Sequence, residues 1–141
     1  ELEYTYRLRP AKDFGLPFNA SFKVINAALV PTIPNNACSD IENVEDIIGN
    51  VALIQRGECS FLEKTINAER AGARAAIITE IGSQTPEFDY YTEMVHDNTD
   101  RETNIPAGFL LGKNGQIIRR TLDKLGRKYA VINLPVNLTF T

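Results

Sequence analysis

Apolar and polar residues alternate at Leu2, Tyr4, Tyr6 and Leu8, the period of a strand with one buried face, and Pro10 ends the run. Phe22, Val24 and Ala27 to Val30 predict a second strand, closed by Pro31, Pro34 and the Asn35-Asn36 pair. Ile41, Val44, Ile47 and Ile48 predict a short helical turn whose apolar side faces inward. The clearest pattern lies at residues 49–79. Val51 to Ile54 and Ala75 to Ile78 are continuous apolar runs, each short enough for one buried strand. Between them, Ser60 and Glu63 have the Ser-x-x-Glu spacing of a helix-opening capping box. Leu62, Ile66 and Ala73 mark the helix's apolar stripe, and Gly72 stands where its end needs a left-handed residue. Strand, helix and strand within about 30 residues make a βαβ unit, with parallel strands and a right-handed crossover.

Further along, residues 82–102 are polar and acidic with little periodicity, which predicts a long surface loop. Ile105 to Leu111 reads as a strand entered at Pro106. A second helix is expected over Gly115 to Leu125, with Asn114 as cap, Gly126 as stop, and Ile118, Leu122 and Leu125 facing the core. Tyr129 to Leu134 reads as strand, and Val136, Leu138 and Phe140 alternate to the end. The sum is one α/β or α+β domain over residues 1–141, with a curved sheet flanked by two main helices.

The central stretch also carries a family resemblance. Arg56-Gly57-Glu58-Cys59-Ser60-Phe61, Lys64, Asn67-Ala68, Ala71-Gly72-Ala73, then Ile105-Pro106-Ala107 and Asn114-Gly115, are similar in order to the signature of the protease-associated domain. The resemblance runs from about Ala27 to Val136. It implies a β-barrel-like or sandwich sheet core flanked by helices. It also implies a domain that presents peptides, restricts substrate access or mediates protein contacts without catalysing a reaction.

Composition narrows the function. A net charge of −3 argues against nucleic acid, whose binding rests on neutralising phosphates. No apolar run approaches the length of a membrane span. The chain begins at Glu1, which reads as the start of a processed or excised chain, its signal peptide removed. Two cysteines alone are as compatible with free thiols as with a bridge. Two sequons, at Asn19 and Asn137, shift the balance together with the resemblance, and favour a secreted glycoprotein with a Cys38–Cys59 disulfide.

Candidate chemistry is sparse. His96, the one histidine, sits in an acidic run with Asp97, Asp100 and Glu102, without the second His or Cys of a zinc site. No metal or other cofactor is expected. Cys59, just before a helix start, could pair with His96 as a Cys–His nucleophile, which requires Cys59 to be free. No Gly-x-Ser-x-Gly elbow or phosphate loop is present, and no enzyme is expected. Arg119, Arg120, Lys124, Arg127 and Lys128 form a basic patch near a helix end, where the dipole favours cations without any partner.

The leading expectation is a secreted, non-catalytic domain that binds a protein or peptide. The Cys59–His96 hydrolase and a structural fragment of a larger receptor or peptidase are the alternatives. The resemblance directs attention to residues 56–61 as the ligand-binding loop. There, Arg56 offers a forked donor, Gly57 a close approach, and the start of the helix its backbone N–H groups. Against this stand two local readings: Arg56 pairs with a nearby acid, and Phe61 belongs to the core. Tyr90 and Tyr91 of the acidic loop are the competing contact residues.

Overall fold

The structure is a computed structural model that describes residues 8–10, 15, 24–80, 99–110 and 112–134. Among the described residues nine elements follow in chain order: β1 (Leu8–Pro10), β2 (Val24–Pro31), α1 (Val44–Ile47), β3 (Val51–Gln55), α2 (Phe61–Arg70), β4 (Ala75–Thr79), β5 (Ala107–Leu110), α3 (Gly112–Leu125) and β6 (Ala130–Leu134). The six described strands make one mixed sheet in the order β1-β5-β4-β3-β2-β6. Its centre is parallel, β2 with β3, β3 with β4 and β4 with β5, while β1 and β6 close the order with antiparallel pairs. This is the expected α/β domain with a sheet core between helices.

Strand alternation decides where the helices go. Ala52 and Ile54, with Ala76 and Ile78 beside them, point to one face and meet Leu62 and Ile66 of α2. Val51, Leu53, Ala75 and Ile77 point to the other face and meet Ile118 of α3. Both faces are therefore covered, and all four residues from Val51 to Ile54 are completely buried. That double burial is why β3 and β4 read as unbroken apolar runs instead of alternating ones. Each Val, Leu or Ile among them contributes roughly 1.5–3 kcal/mol on burial.

The βαβ unit has the expected form. β3 and β4 pair in parallel from Val51↔Ala75 to Gln55↔Thr79, with α2 as the crossover. Ser60 caps α2, its Oγ accepting from the Glu63 N–H at 3.0 Å. Gly72 ends the helical segment at φ +92, and a Cβ there would also strike the Ile48 side chain at 2.7 Å.

Elsewhere the structure corrects the sequence reading. In and around α1 (Val44–Ile47), Ile47 is fully buried and Ile41 nearly so, but Val44 and Ile48 are exposed. A helix of one turn has one inward position, and Ile47 occupies it. α3 begins at Gly112, so Asn114 lies inside the helix instead of capping it. Packing against the sheet, more than the propensities of Gly112, Asn114 and Gly115, sets that start. Leu125, expected on the inner face, is 55% exposed, because the core beneath α3 stops at Leu122. Pro10 is the last paired residue of β1 instead of a residue beyond it. At the sheet edge proline's missing donor costs no ladder bond. The strand expected over residues 2–7, most of the acidic loop and the pattern at residues 136–140 lie outside the described residues.

α3 also approaches β4 unusually closely. A Cβ added to Gly115 would overlap Thr79 Oγ1 and come within 2.9 Å of Thr79 Cβ. Gly115→Ala is therefore expected to lower stability by roughly 1–3 kcal/mol through overpacking, although alanine is the better helix former. Chemical denaturation of both proteins measures the difference. An unchanged or raised midpoint would mean that the helix yields at no cost.

Candidate binding loop

Two turns lie side by side at the carboxyl end of β2 and β3: residues 32–38 after β2, and residues 56–60 between β3 and α2. Several independent links join them. Cys38 and Cys59 form a disulfide with a Cα–Cα distance of 5.8 Å, closing a sequence separation of 21 residues. A bridge over a loop of that length stabilises by about 3 kcal/mol in the chain-entropy picture. The Gln55 N–H donates to Asn35 O at 2.8 Å, and Asn36 Nδ2 donates to Glu58 Oε2 at 2.6 Å.

The remaining link is Lys64. Its side chain is completely buried, and its ammonium donates to Gly57 O at 2.6 Å and Asn36 O at 2.9 Å. The nitrogen also lies 3.5 Å from Cys38 Sγ. One cation thus holds a carbonyl from each turn beside the disulfide that joins them. One turn of helix further on, Asn67 Nδ2 donates to Ala37 O at 2.8 Å. α2 therefore anchors both turns with polar side chains from within the core. Burial pulls the Lys64 pKa from its ordinary 10.5 down to about 8, against the opposing pull of Glu58 and Glu63.

The 56–60 turn owes its shape to two backbone positions. Gly57 sits at φ +123 and Glu58 at φ +74, the latter in the left-handed region that side chains rarely adopt. The Cys59 N–H returns to Gly57 O at 2.9 Å, so the same carbonyl that Lys64 holds also closes the turn. Glu58 remains exposed at its tip. Its carboxylate is positioned by the bond from Asn36.

Arg56 is engaged. Its Nη1 meets Glu80 Oε1 at 2.9 Å, with side-chain exposures of 31% and 11%, and its guanidinium lies 5.8 Å from the centroid of the Phe61 ring. Phe61 is half-buried against the α2-side core. The local readings of both residues therefore hold, and a ligand carboxylate at Arg56 would share it with Glu80. Elsewhere on α2, Glu69 accepts from Thr103 Oγ1 at 2.7 Å and Glu63 meets Arg101 at 3.5 Å, tying residues 101–104 to the helix.

The Cys59 nucleophile is excluded, since both cysteines are consumed in the bridge. His96, Tyr90, Tyr91, Asn19 and Asn137 lie outside the described residues. In the sequence, Lys64 and Asn67 stand in the family motif without a visible task. The available signal was a lysine on the same helical face as Ala68 and Ala71, both of which are buried. Glu80 carried no signal, because its partner is 24 residues away in sequence.

A sheet covered on both faces, with a disulfide-closed turn at the entrance to its crossover helix, defines the class of this α/β domain. The chain belongs to the PA domain family, whose model matches residues 25–118. It is 63% identical to a PRADC1-like protein of Drosophila melanogaster over 141 residues, all of this chain and 71% of that one. It is 36% identical to the human ER degradation-enhancing alpha-mannosidase-like protein 3 over 108 residues, 74% of this chain and 11% of that protein. Signal peptide peptidase-like 2 of Arabidopsis thaliana is 32% identical over 107 residues, 76% of this chain and 19% of that protein. Among solved structures, a zinc aminopeptidase from Bacillus subtilis shares the fold with a TM-score of 0.53 and 22% identity. The match covers 82% of this chain and 25% of the aminopeptidase.

The Lys64 arrangement makes a pH-dependent prediction. Below pH 8 the lysine is charged in both folded and unfolded chains, and above 10.5 it is neutral in both. Between these values the unfolded chain holds a proton that the folded one has lost, so this group makes stability rise with pH across that window. The rise is at most about 3 kcal/mol, at about 1.36 kcal/mol per unit. Lys64→Met should abolish this contribution. At neutral pH it should also cost roughly 1–3 kcal/mol by leaving buried carbonyls without their donor. Urea denaturation of both proteins from pH 7.5 to 10.5 reads the difference, and parallel profiles would contradict it.

Proposed function

We propose that this chain is a secreted, glycosylated, non-catalytic binding module whose ligand is a protein or peptide engaged by the Arg56–Phe61 turn. The observation that carries the reading is the preorganised turn itself. A disulfide, a buried ammonium and a capped helix hold it in one conformation, while Glu58 stays exposed at its tip. A turn already ordered loses little entropy on binding, which is where rigid recognition loops gain affinity. The relatives support a non-catalytic role. The same domain matches small fractions of proteins named as a mannosidase-like protein and a signal peptide peptidase-like protein, two different chemistries. A part shared among unlike catalysts is best read as the binder, not the catalyst. The relative named for ER degradation and the disulfide both agree with a secretory-pathway location. Among the described residues no helix is long and apolar enough to cross a membrane.

Panning a displayed peptide library on the folded chain tests the binding surface. Arg56→Ala should weaken selected peptides at least about tenfold, or about 1.4 kcal/mol. Its thermal midpoint should fall by no more than roughly 4 °C, as expected for losing a partly exposed ion pair. Tyr90→Ala and Tyr91→Ala should leave affinity unchanged. The reverse pattern would move the site to the acidic loop.

The compartment is tested separately. Protein expressed through a eukaryotic secretory pathway should lose mass in two steps on glycosidase treatment, with one step abolished by Asn19→Gln and the other by Asn137→Gln. Sites left bare in such material would count against the secreted, glycosylated reading.

A further inference from the structure

Beside the turn, where β3 and β4 end, α3 and the sheet flank a half-open pocket of about 220 Å³. Its walls include Gln55 and Thr79 at the carboxyl ends of the two parallel strands, and Gln116, Arg119 and Arg120 from α3. Ligands of open α/β sheets gather at that end of the strands. The volume is below the roughly 300–1,000 Å³ of sites for drug-sized molecules, yet several times the ~30 Å³ share of a water. It suits one small group. Gly115 also lines it, and its missing side chain keeps α3 close to Thr79.

The charges point to what that group is. Glu80 lines the pocket but is already paired with Arg56 at 2.9 Å. Among the described residues Arg119, with five N–H donors, makes one long contact, Nη2 to Asn35 Oδ1 at 3.5 Å. Its Nη1 is buried and has no acceptor among them. A buried donor on a charged group without a partner is costly, and native structures rarely keep one without a reason. Arg120 and Asp123, a cation and a carboxylate that both line the pocket, form no ion pair among the described residues, and the amides of Gln55 and Gln116 make no side-chain hydrogen bond there. Apart from that one unpaired carboxylate, the chain thus gathers an under-satisfied guanidinium, a second cation and two uncommitted amides around a small polar space.

We infer that the pocket is a carboxylate-binding subsite in which Arg119 receives the carboxylate. A small rotation of the guanidinium presents two parallel N–H groups, the geometry that carboxylates fit best. Arg120 adds attraction at the mouth, and the glutamine amides can take the remaining lone pairs. The carboxylate comes from a peptide, as a free C-terminus or as an acidic side chain. That choice of source rests on the peptide-binding reading above; the subsite does not. Through Gln55 and Glu80 the pocket adjoins Arg56, so one ligand can span the turn and the subsite.

Titration of three small probes into isotopically labelled protein, followed by amide chemical shifts, tests the site without knowing the natural ligand. N-acetylglycine presents a terminal carboxylate, N-acetylglutamic acid α-amide a side-chain carboxylate, and N-acetylglycinamide neither. At least one acid should shift the amides of Gln55, Thr79, Gly115 and Gln116 saturably, with a dissociation constant on the order of 10 mM. The neutral amide should not. Whichever acid binds more tightly identifies the source of the carboxylate. Arg119→Gln should weaken binding at least about tenfold, and Arg119→Lys, which keeps the charge without the fork, should weaken it less. Well-dispersed spectra confirm that both variants are folded. No saturable shift with either acid, equal shifts with the neutral amide, or Arg119→Gln binding as well as the parent would each overturn the subsite. Panned peptides that need Arg56 but no carboxylate would leave the turn's function intact while rejecting the link to this pocket.

Discussion

The buried ammonium of Lys64 is the contact on which the arrangement of the two turns depends. An isolated charge in a core is expensive, and it is tolerated where carbonyl oxygens replace its water. Here Gly57 and Asn36 supply them, one from each turn. The constraint is reciprocal: the lysine stays buried because the turns fold their carbonyls over it, and the turns keep that shape because the lysine holds them. The disulfide alone would fix one pair of Cβ atoms. The lysine fixes the backbone orientation around that pair, including the Gly57 carbonyl that also closes the turn. α2 can do this because it is itself locked to the sheet by Leu62 and Ile66, with Ser60 capping its first turn.

Much of this was legible from sequence, and the parts that were not share a cause. β3, α2 and β4 could be read because their signals are local: two apolar runs, a capping box and a glycine at the helix end. The cysteine pair could be read from the family resemblance and the sequons. Lys64 was visible as a letter in a motif but not as a buried cation, because that requires knowing that two turns, bridged across 21 residues, meet above its helix. Arg56 shows the same limit. Its pairing with Glu80 follows from the parallel register that sets Gln55 beside Thr79 and hence places residue 56 near residue 80. Val44, Ile48 and Leu125 failed for a different reason. Periodicity identifies an apolar stripe, but not how far the opposing core extends to cover it.

The same register accounts for the adjacency of the turn and the pocket. Parallel strands bring their carboxyl ends to one edge, so whatever follows β3 and β4 emerges together. After β3 comes the disulfide-closed turn; after β4 comes Glu80, which reaches back to Arg56. α3 covers the opposite face of the sheet from α2 and contributes Arg119 at the same end. On the proposed reading, a ligand is met by side chains from both helical layers although the layers do not touch across the sheet. Arg56 links the two regions, since the acid that orients it also lines the pocket. An acidic ligand group that drew on Arg56 would loosen Glu80, while one at Arg119 would leave the pair intact and satisfy a donor that the fold leaves open. The second route disturbs less of the existing bonding, and for that reason the pocket is the better anchor for a carboxylate and the turn the better surface for the rest of a peptide.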